Sequence, residues 1–348
     1  LGYFDPQPKT RREDFFDKDE ELEKLSRGLR HGKLVVVSGL RRYGKTSLIL
    51  TCLNEEKYDY VYVDCRLLPH GMISMNSVLK LFREELERRA WARRVLRRVE
   101  EVTVGGVKVR LRGEEALVDL LQALEGKVVV LDEAQELRRS RYRFDKVLAY
   151  AYDHLDVKLV VSGSQVGLLH RFLRVDDPEA PLYGRPYIEV RVSRLSEERS
   201  RKFLIEGFRQ YEVKVHDEEI EEAIKWFDGV IGWLTYFGHS KVVSGEDFQS
   251  IVVKASRLAL SELEHALKIY GTAERRYREV LRAIAFAQPA RWAQIKRWVE
   301  ARTGEVPNNT LTSMIKNLVD SGFVEKTLEG YVISDPMLKN GIIKFWRV

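Results

Sequence analysis

Short runs rich in β-branched and aromatic residues mark out the first half of the chain: Leu34-Val35-Val36-Val37, Tyr58 to Asp64, Val128-Val129-Val130-Leu131 and Leu159-Val160-Val161. Apolar runs of this length read as strands buried on both faces, the habit of a parallel sheet. Between them apolar residues recur at helical spacing. Asp17 to Leu25 opens with acids, as a helix start does, and Thr46 to Leu53 follows the first run. Asp119 to Glu125 and Phe144 to His154 precede the third and fourth runs. A longer basic amphipathic stretch runs from Leu79 to Val99. Val102 to Val109 alternates on both sides of Gly105-Gly106, a hairpin signal that a parallel core does not need. It reads as an insertion near 100–112. Strands alternating with helices predict an α/β fold, a three-layer parallel sheet.

After Pro186 to Val190 the pattern changes. Ser196-Glu197-Glu198-Arg199 opens a helix with a capping pattern, and helical spacing continues to about residue 268 without further strands, as in a small helical lid. Ala273 to Phe286, Trp292 to Arg302 and Asn308 to Ser321 read as three more helices, the last ended by Gly322. Phe323 to Lys326 and Tyr331 to Ile333 then flank a turn containing Gly330. Three helices and a hairpin make a winged helix-turn-helix. Its recognition helix carries Asn308, Asn309, Thr310, Thr312, Ser313, Lys316 and Asn317. The predicted domains are 1–191, 192–270 and 271–348.

The chemistry sits at the strand ends. Gly39-Leu40-Arg41-Arg42-Tyr43-Gly44-Lys45-Thr46 fits G-x-x-x-x-G-K-S/T, the phosphate-binding loop (P-loop) of nucleoside triphosphatases, in the strand-loop-helix context that motif requires. Expected nucleotide contacts run from Gly39 through Leu40, Arg41, Arg42, Tyr43, Gly44, Lys45 and Thr46 to Ser47. The glycines free the backbone to bring its amides against an anion, and the following helix presents its positive end. Lys45 is expected on the β- and γ-phosphates, and Thr46 on Mg²⁺. The competing reading is a tight turn with a chance lysine. Asp132-Glu133 ends the third strand. Asp132 is expected to hold Mg²⁺ and Glu133 to orient or deprotonate the attacking water. Two acids that merely start a helix are the alternative. Ser164, after the fourth strand, is a candidate γ-phosphate sensor or part of a turn.

Composition narrows this little. At 348 residues with 44% hydrophobic content, the chain has material for two or three cores. No apolar run approaches the roughly 18 residues of a membrane span, and no N-terminal signal is visible. A cytoplasmic location without membrane contact is therefore expected. Charged residues make up 32%, 59 basic against 53 acidic, a profile shared with hyperthermophile proteins. The net charge of +6 gives mild support for a polyanionic partner. Arg88-Arg89, Arg93-Arg94 and Arg97-Arg98 form either a solvated helix face or a surface for nucleic acid or an acidic protein. Cys52 and Cys65 are expected to be buried free thiols.

Taken together, Gly39 to Ser47, Leu131 to Gln135, Ser162 to Leu169 and Pro181-Leu182-Tyr183-Gly184-Arg185 resemble the archaeal STAND-type ATPases, which are AAA+-like and carry a C-terminal winged helix. Paired arginines before the final loop glycine are part of that likeness. The resemblance implies an ATP/ADP- and Mg²⁺-dependent, slowly hydrolysing switch that sets the arrangement of lid and winged helix. It makes Arg185 a candidate to stabilise γ-phosphate charge, within the chain or across to a neighbour, with a structural ion pair as the alternative. It also places the region Phe15 to Glu21 near the adenine. Where the family often has Gly-x-Pro in the lid, this chain has Gly229-Val230-Ile231. A protein partner or a homo-oligomer is implied. The alternative function is an ATP-regulated DNA-binding protein of the origin-recognition or transcription-regulator kind, using the winged helix. Such ATPases usually have small residues and prolines where this loop has Arg41-Arg42-Tyr43. A scaffold with vestigial hydrolysis is a third reading.

Overall fold

The computed structural model describes residues 2–69, 71–92, 95 and 113–346. The hairpin expected near 100–112 lies outside them, as do Arg93, Arg94, Arg97 and Arg98. Two compact units result, one of Pro8–Val192 and one of Leu1–Gln7 with Ser193–Val348.

The unit Pro8–Val192 is built on a five-stranded sheet. Helix α1 (Asp19–His31) leads into β1 (Leu34–Ser38), α2 (Lys45–Glu55), β2 (Tyr60–Asp64) and α3 (Met75–Glu87). Then come α4 (Gly113–Ala123), β3 (Val128–Asp132), a 3₁₀ segment (Ala134–Arg139), α5 (Phe144–His154), β4 (Lys158–Gly163), α6 (Val166–Leu173) and β5 (Ile188–Arg191). The strand order is β2-β3-β4-β1-β5, and every pairing is parallel. All five residues of β1 and of β3 are buried, which accounts for their unbroken apolar runs. Leu34, Val36, Val61, Val63, Val129, Leu131, Leu159 and Val161 face α3, α4, α5 and α6. The opposite face takes α1, which approaches so closely at Gly28 that a Cβ there would lie 2.8 Å from Val35 Cγ2. Because the strands are parallel, the loops after β1, β3 and β4 meet at one edge of the sheet, the usual ligand edge of α/β folds.

The basic stretch after β2 is not one long helix in its described part. Helix α3 stops at Glu87, and a 3₁₀ turn, Ala90–Ala92, follows. Glu85 draws in both Arg88 and Arg89, and Arg89 also lies over the Tyr60 ring at 4.1 Å. These two arginines therefore serve a local ion-pair cluster. Cys52 and Cys65 are buried free thiols. Burial, with the nearby Glu56 and Glu55, pushes the Cys52 thiol up to about 12, and burial raises Cys65 as well. Neither is expected to react with iodoacetamide at pH 8 until the protein is denatured. Labelling of the native chain, read by mass spectrometry, would contradict this.

In the second unit, α7 (Glu197–Gln210), α8 (Asp217–Phe227), α9 (Ile231–Ser244) and α10 (Phe248–Leu267) form the helical region. The winged helix comprises α11 (Glu274–Ala287), α12 (Trp292–Thr303), α13 (Asn308–Asp320), β6 (Val324–Lys326) and β7 (Tyr331–Ile333). A last helix, α14 (Pro336–Phe345), follows. Ser196 caps α7 through a bond to the Arg199 amide, as its capping pattern predicts. Residues 2–7 belong here because Phe4, fully buried, packs among Phe203, Phe208 and Tyr211. Gly207 and Gly238 leave the space for its ring, where a Cβ on either would come within 2.3 Å of it.

Helix α14 crosses back over α10 near Gly341, where a Cβ would meet the Ser256 carbonyl at 2.7 Å. Asn340 donates to Ser256 Oγ at 2.8 Å, so helical region and winged helix form one body. Asp335 caps α14 by accepting from the Met337 and Leu338 amides, and it also accepts from the buried Trp233 indole at 2.9 and 3.0 Å. Asp335→Ala removes a helix cap and strands a buried N–H donor. It is expected to lower stability by about 1–3 kcal/mol, measured by urea unfolding followed by Trp fluorescence, and an unchanged midpoint would refute that role.

Candidate functional site

The loop between β1 and α2 is shaped by its backbone. Gly39 has φ 151° and Gly44 φ 87°. A Cβ on Gly39 would sit 2.4 Å from the Val192 carbonyl, so glycine is required by both angle and space. Arg42, at φ 66°, takes the left-handed turn between them. Tyr43, the residue before Gly44, is buried. Lys45 is only 5% exposed and donates from Nζ to the Leu40 carbonyl at 3.0 Å, so its ammonium lies inside the curve of the loop. Burial pulls Lys45 below the usual lysine value, against the opposing fields of Glu133 and Asp132. A desolvated cation inside a ring of backbone groups suits a phosphate.

Asp132, 1% exposed, ends β3 beside the loop. Its Oδ2 accepts from Thr46 Oγ1 at 2.9 Å and from the Tyr62 hydroxyl, and its Oδ1 accepts from the Ser162 hydroxyl and from the Glu133 amide at 3.1 Å. Burial and the Asp132 charge hold Tyr62 protonated, as a donor, far beyond neutral pH. Thr46 and Asp132 thus bring two hard oxygens together at the mouth of the loop. That pair fits Mg²⁺, which takes one or two protein oxygens and completes its shell with phosphate and water. Among the described residues no group of three or more His, Cys, Asp or Glu could hold a metal alone.

Glu133 adopts φ 52°, a left-handed conformation rare for a non-glycine residue. The chain turns there into the 3₁₀ segment rather than an α-helix. Its Oε2 accepts from Gln135 Nε2 at 2.6 Å, from Ser164 Oγ at 2.6 Å and from the Ser164 amide at 3.0 Å. Burial works to raise this carboxyl, but the Lys45 charge and the bonds from Ser164 and Gln135 outweigh it and hold Glu133 below the ordinary carboxylate range. The site therefore contains a carboxylate kept ionised beside a phosphate loop. In chemical terms it can bind a polyphosphate and orient a water.

Other expected residues lie differently. The Ser47 hydroxyl accepts from the Lys9 amide at 3.0 Å, tying an N-terminal strap to α2 instead of facing the loop. Ser164 is engaged with Glu133 through both its polar groups. Arg185 pairs with Asp153, its Nε lying 2.8 Å from Oδ1. It precedes β5, and Asp153 lies in the last turn of α5 before β4, so both lie at the sheet edge opposite the loop. Five strand residues at roughly 3.3 Å each separate the two edges. Within the chain Arg185 therefore lies away from the loop, in an ion pair with Asp153. Sequence reasoning missed Tyr62, Ser162 and Gln135. The signal was available in part, since Tyr62 and Ser162 lie near the ends of strands that flank β3.

Residues 15–237 match the model of an ATPase domain predominantly from Archaea. Residues 272–334 match the winged helix-turn-helix domain at the C-terminus of MCM proteins. A Walker-type ATPase of Pyrococcus abyssi is 33% identical and superposes with a TM-score of 0.83, over 98% of this chain and all of its own. Cdc6p of Pyrobaculum aerophilum gives 0.48 at 14% identity, over 98% of this chain and 96% of its own. The RuvB Holliday junction branch migration motor of Thermotoga maritima gives 0.48 at 16%, over 97% and 98%. No curated protein matches the chain.

Proposed function

The chain belongs to the family of ATPases found predominantly in Archaea, and we propose that it is a slowly hydrolysing ATP switch of the STAND type. The observation that carries this is the grouping of Lys45, Thr46, Asp132 and Glu133 at one sheet edge, with Glu133 Oε2 saturated by three donors. Lys45 and the loop amides hold the β- and γ-phosphates. Thr46 and Asp132 would hold Mg²⁺, which would neutralise charge on the phosphate oxygens when bound. Glu133 orients the attacking water and accepts its proton. A carboxylate so well supplied with hydrogen bonds is a weak base, which favours slow turnover. ATP rather than GTP rests on the family.

Coupling to the second unit has a covalent route. The Val192 amide donates to the Ser38 carbonyl at 2.8 Å, next to Gly39, and the chain passes from Val192 directly into Ser193 and the second unit. A change in the loop is thereby felt where the connection begins. Hydrogen exchange with saturating ATP or ADP and Mg²⁺ tests this. Protection is expected to differ between the two nucleotides at 37–46, 131–135 and 192–196. Identical exchange with both would overturn the switch.

A second reading, an ATP-regulated DNA-binding protein, is favoured by the exposure of Asn308, Asn309, Thr312, Ser313 and Lys316 on the outer face of α13. With one lysine on that face, binding to duplex DNA is expected to be weak and steeply salt-dependent. Fluorescence anisotropy at about 50 and about 200 mM salt, with and without ATP, decides it. No binding at the lower salt in either state removes this reading.

A further inference from the structure

Gln135 is 4% exposed, and its Oε1 is a buried acceptor with no hydrogen-bond partner among the described residues. Burying an unsatisfied carbonyl is costly, so the amide is held for its other end. That end, Nε2, donates to Glu133 Oε2 at 2.6 Å. The unpaired Oε1 is pressed against Gly163, where a Cβ would lie 2.4 Å from it. Gly163 ends β4 immediately before Ser164, the other residue that holds Glu133. The amide is thus wedged between the backbone of β4 and the carboxylate at the end of β3.

The two oxygens of Glu133 are unequal. Oε2 takes all three hydrogen bonds, and Oε1 takes none from a described residue. One oxygen is the anchor and the other is left to meet a water. Keeping that division needs the carboxylate held in rotation, and both bonds from Ser164 reach it from the β4 side. Gln135 supplies the second point of attachment from the chain's own 3₁₀ segment.

We infer that Gln135 is a positioning residue for ATP hydrolysis: it fixes the Glu133 carboxylate so that Oε1 faces the attacking water, and Gly163 is glycine because the Gln135 amide occupies the place of a side chain. The inference rests on the ATPase reading and adds a role for a residue outside the set expected on phosphate and metal. A purely structural part, filling space beneath the 3₁₀ segment, is the reading to beat.

The test uses Gln135→Met, which keeps the length and has no N–H to donate, in the full chain with ATP and Mg²⁺. Turnover at saturation is expected to fall on the order of ten- to a hundredfold, the usual cost of a lost orienting contact, with KM and ATP affinity unchanged. In a Glu133→Gln background the same substitution should cause no further fall, because there is no carboxylate left to position. Gly163→Ala, which drives the amide aside by a different route, should lower turnover to a similar degree and serves if Gln135→Met fails to fold. Unchanged turnover in both single variants, or an equal fall with and without Glu133, overturns the inference while leaving the ATPase reading intact. Absence of hydrolysis by the unmodified protein overturns both.

Discussion

Glu133→Gln is expected to lower ATP turnover by on the order of 10²–10⁴-fold while ATP affinity stays within about twofold. The substitution keeps the side chain's shape and removes its charge and basicity. The new side-chain amide would still reach Ser164, so the fold at the β3–β4 edge should survive. What is lost is the group proposed to take a proton from water, together with the counter-charge that acts on Lys45. Removing that counter-charge leaves the loop more positive and favours a polyphosphate, so binding is retained. Turnover by phosphate release and affinity by titration calorimetry separate the two effects. Equal turnover in both proteins would remove Glu133 from the mechanism. The unmodified enzyme carries a companion expectation in its pH dependence. Since Glu133 is held below the ordinary carboxylate range, it stays ionised from neutral into mildly acidic pH, and any loss of rate through this group comes only below the usual Glu value. The stability it contributes has the same sign: present above the unfolded-state value and lost as pH falls through the depressed one.

Much of this was legible because it is local. A strand, a glycine loop and a helix follow one another within some twenty residues, and β1, β3 and β4 announce themselves as valine-rich runs with acids or serines at their ends. Relations between distant segments were not legible. Asp132 is bound by Thr46, Tyr62 and Ser162 from three elements, and only strand order and register bring them together. A motif match likewise carries no information about which end of the sheet it occupies. Arg185 follows Tyr183-Gly184 as the family pattern asks, yet it lies before β5 and pairs with Asp153. Phe4 could not be placed in the second unit from sequence, because its partners lie about two hundred residues on. The last helix, α14, did leave a sign: Asp335-Pro336 is a cap followed by a proline at the first helical position.

Lys45→Ala tests the other half of the site, and its effect should fall on binding first. An ammonium on a phosphate is a charge-assisted hydrogen bond, and its loss costs about 1.5–3 kcal/mol, or roughly ten- to a hundredfold in Kd for ATP. AMP, which offers no β-phosphate, should bind almost as before, so the ratio of the two affinities is the informative quantity. The side chain is buried, and its removal also withdraws the charge that holds Glu133 low. The buried Asp132 and its neighbour Glu133 then carry their charges with less compensation. The variant should therefore lose thermal stability at neutral pH and recover part of it as the medium is acidified and Glu133 is protonated. A scan of melting temperature from neutral pH to below the usual Glu value measures that recovery, and Lys45→Met, which restores most of the apolar stem, controls for the cavity. If ATP affinity is unchanged in Lys45→Ala, the loop does not hold phosphate through this lysine. If affinity falls but the melting temperature keeps the pH dependence of the unmodified protein, the charge coupling between loop and carboxylates is wrong and the phosphate contact stands alone.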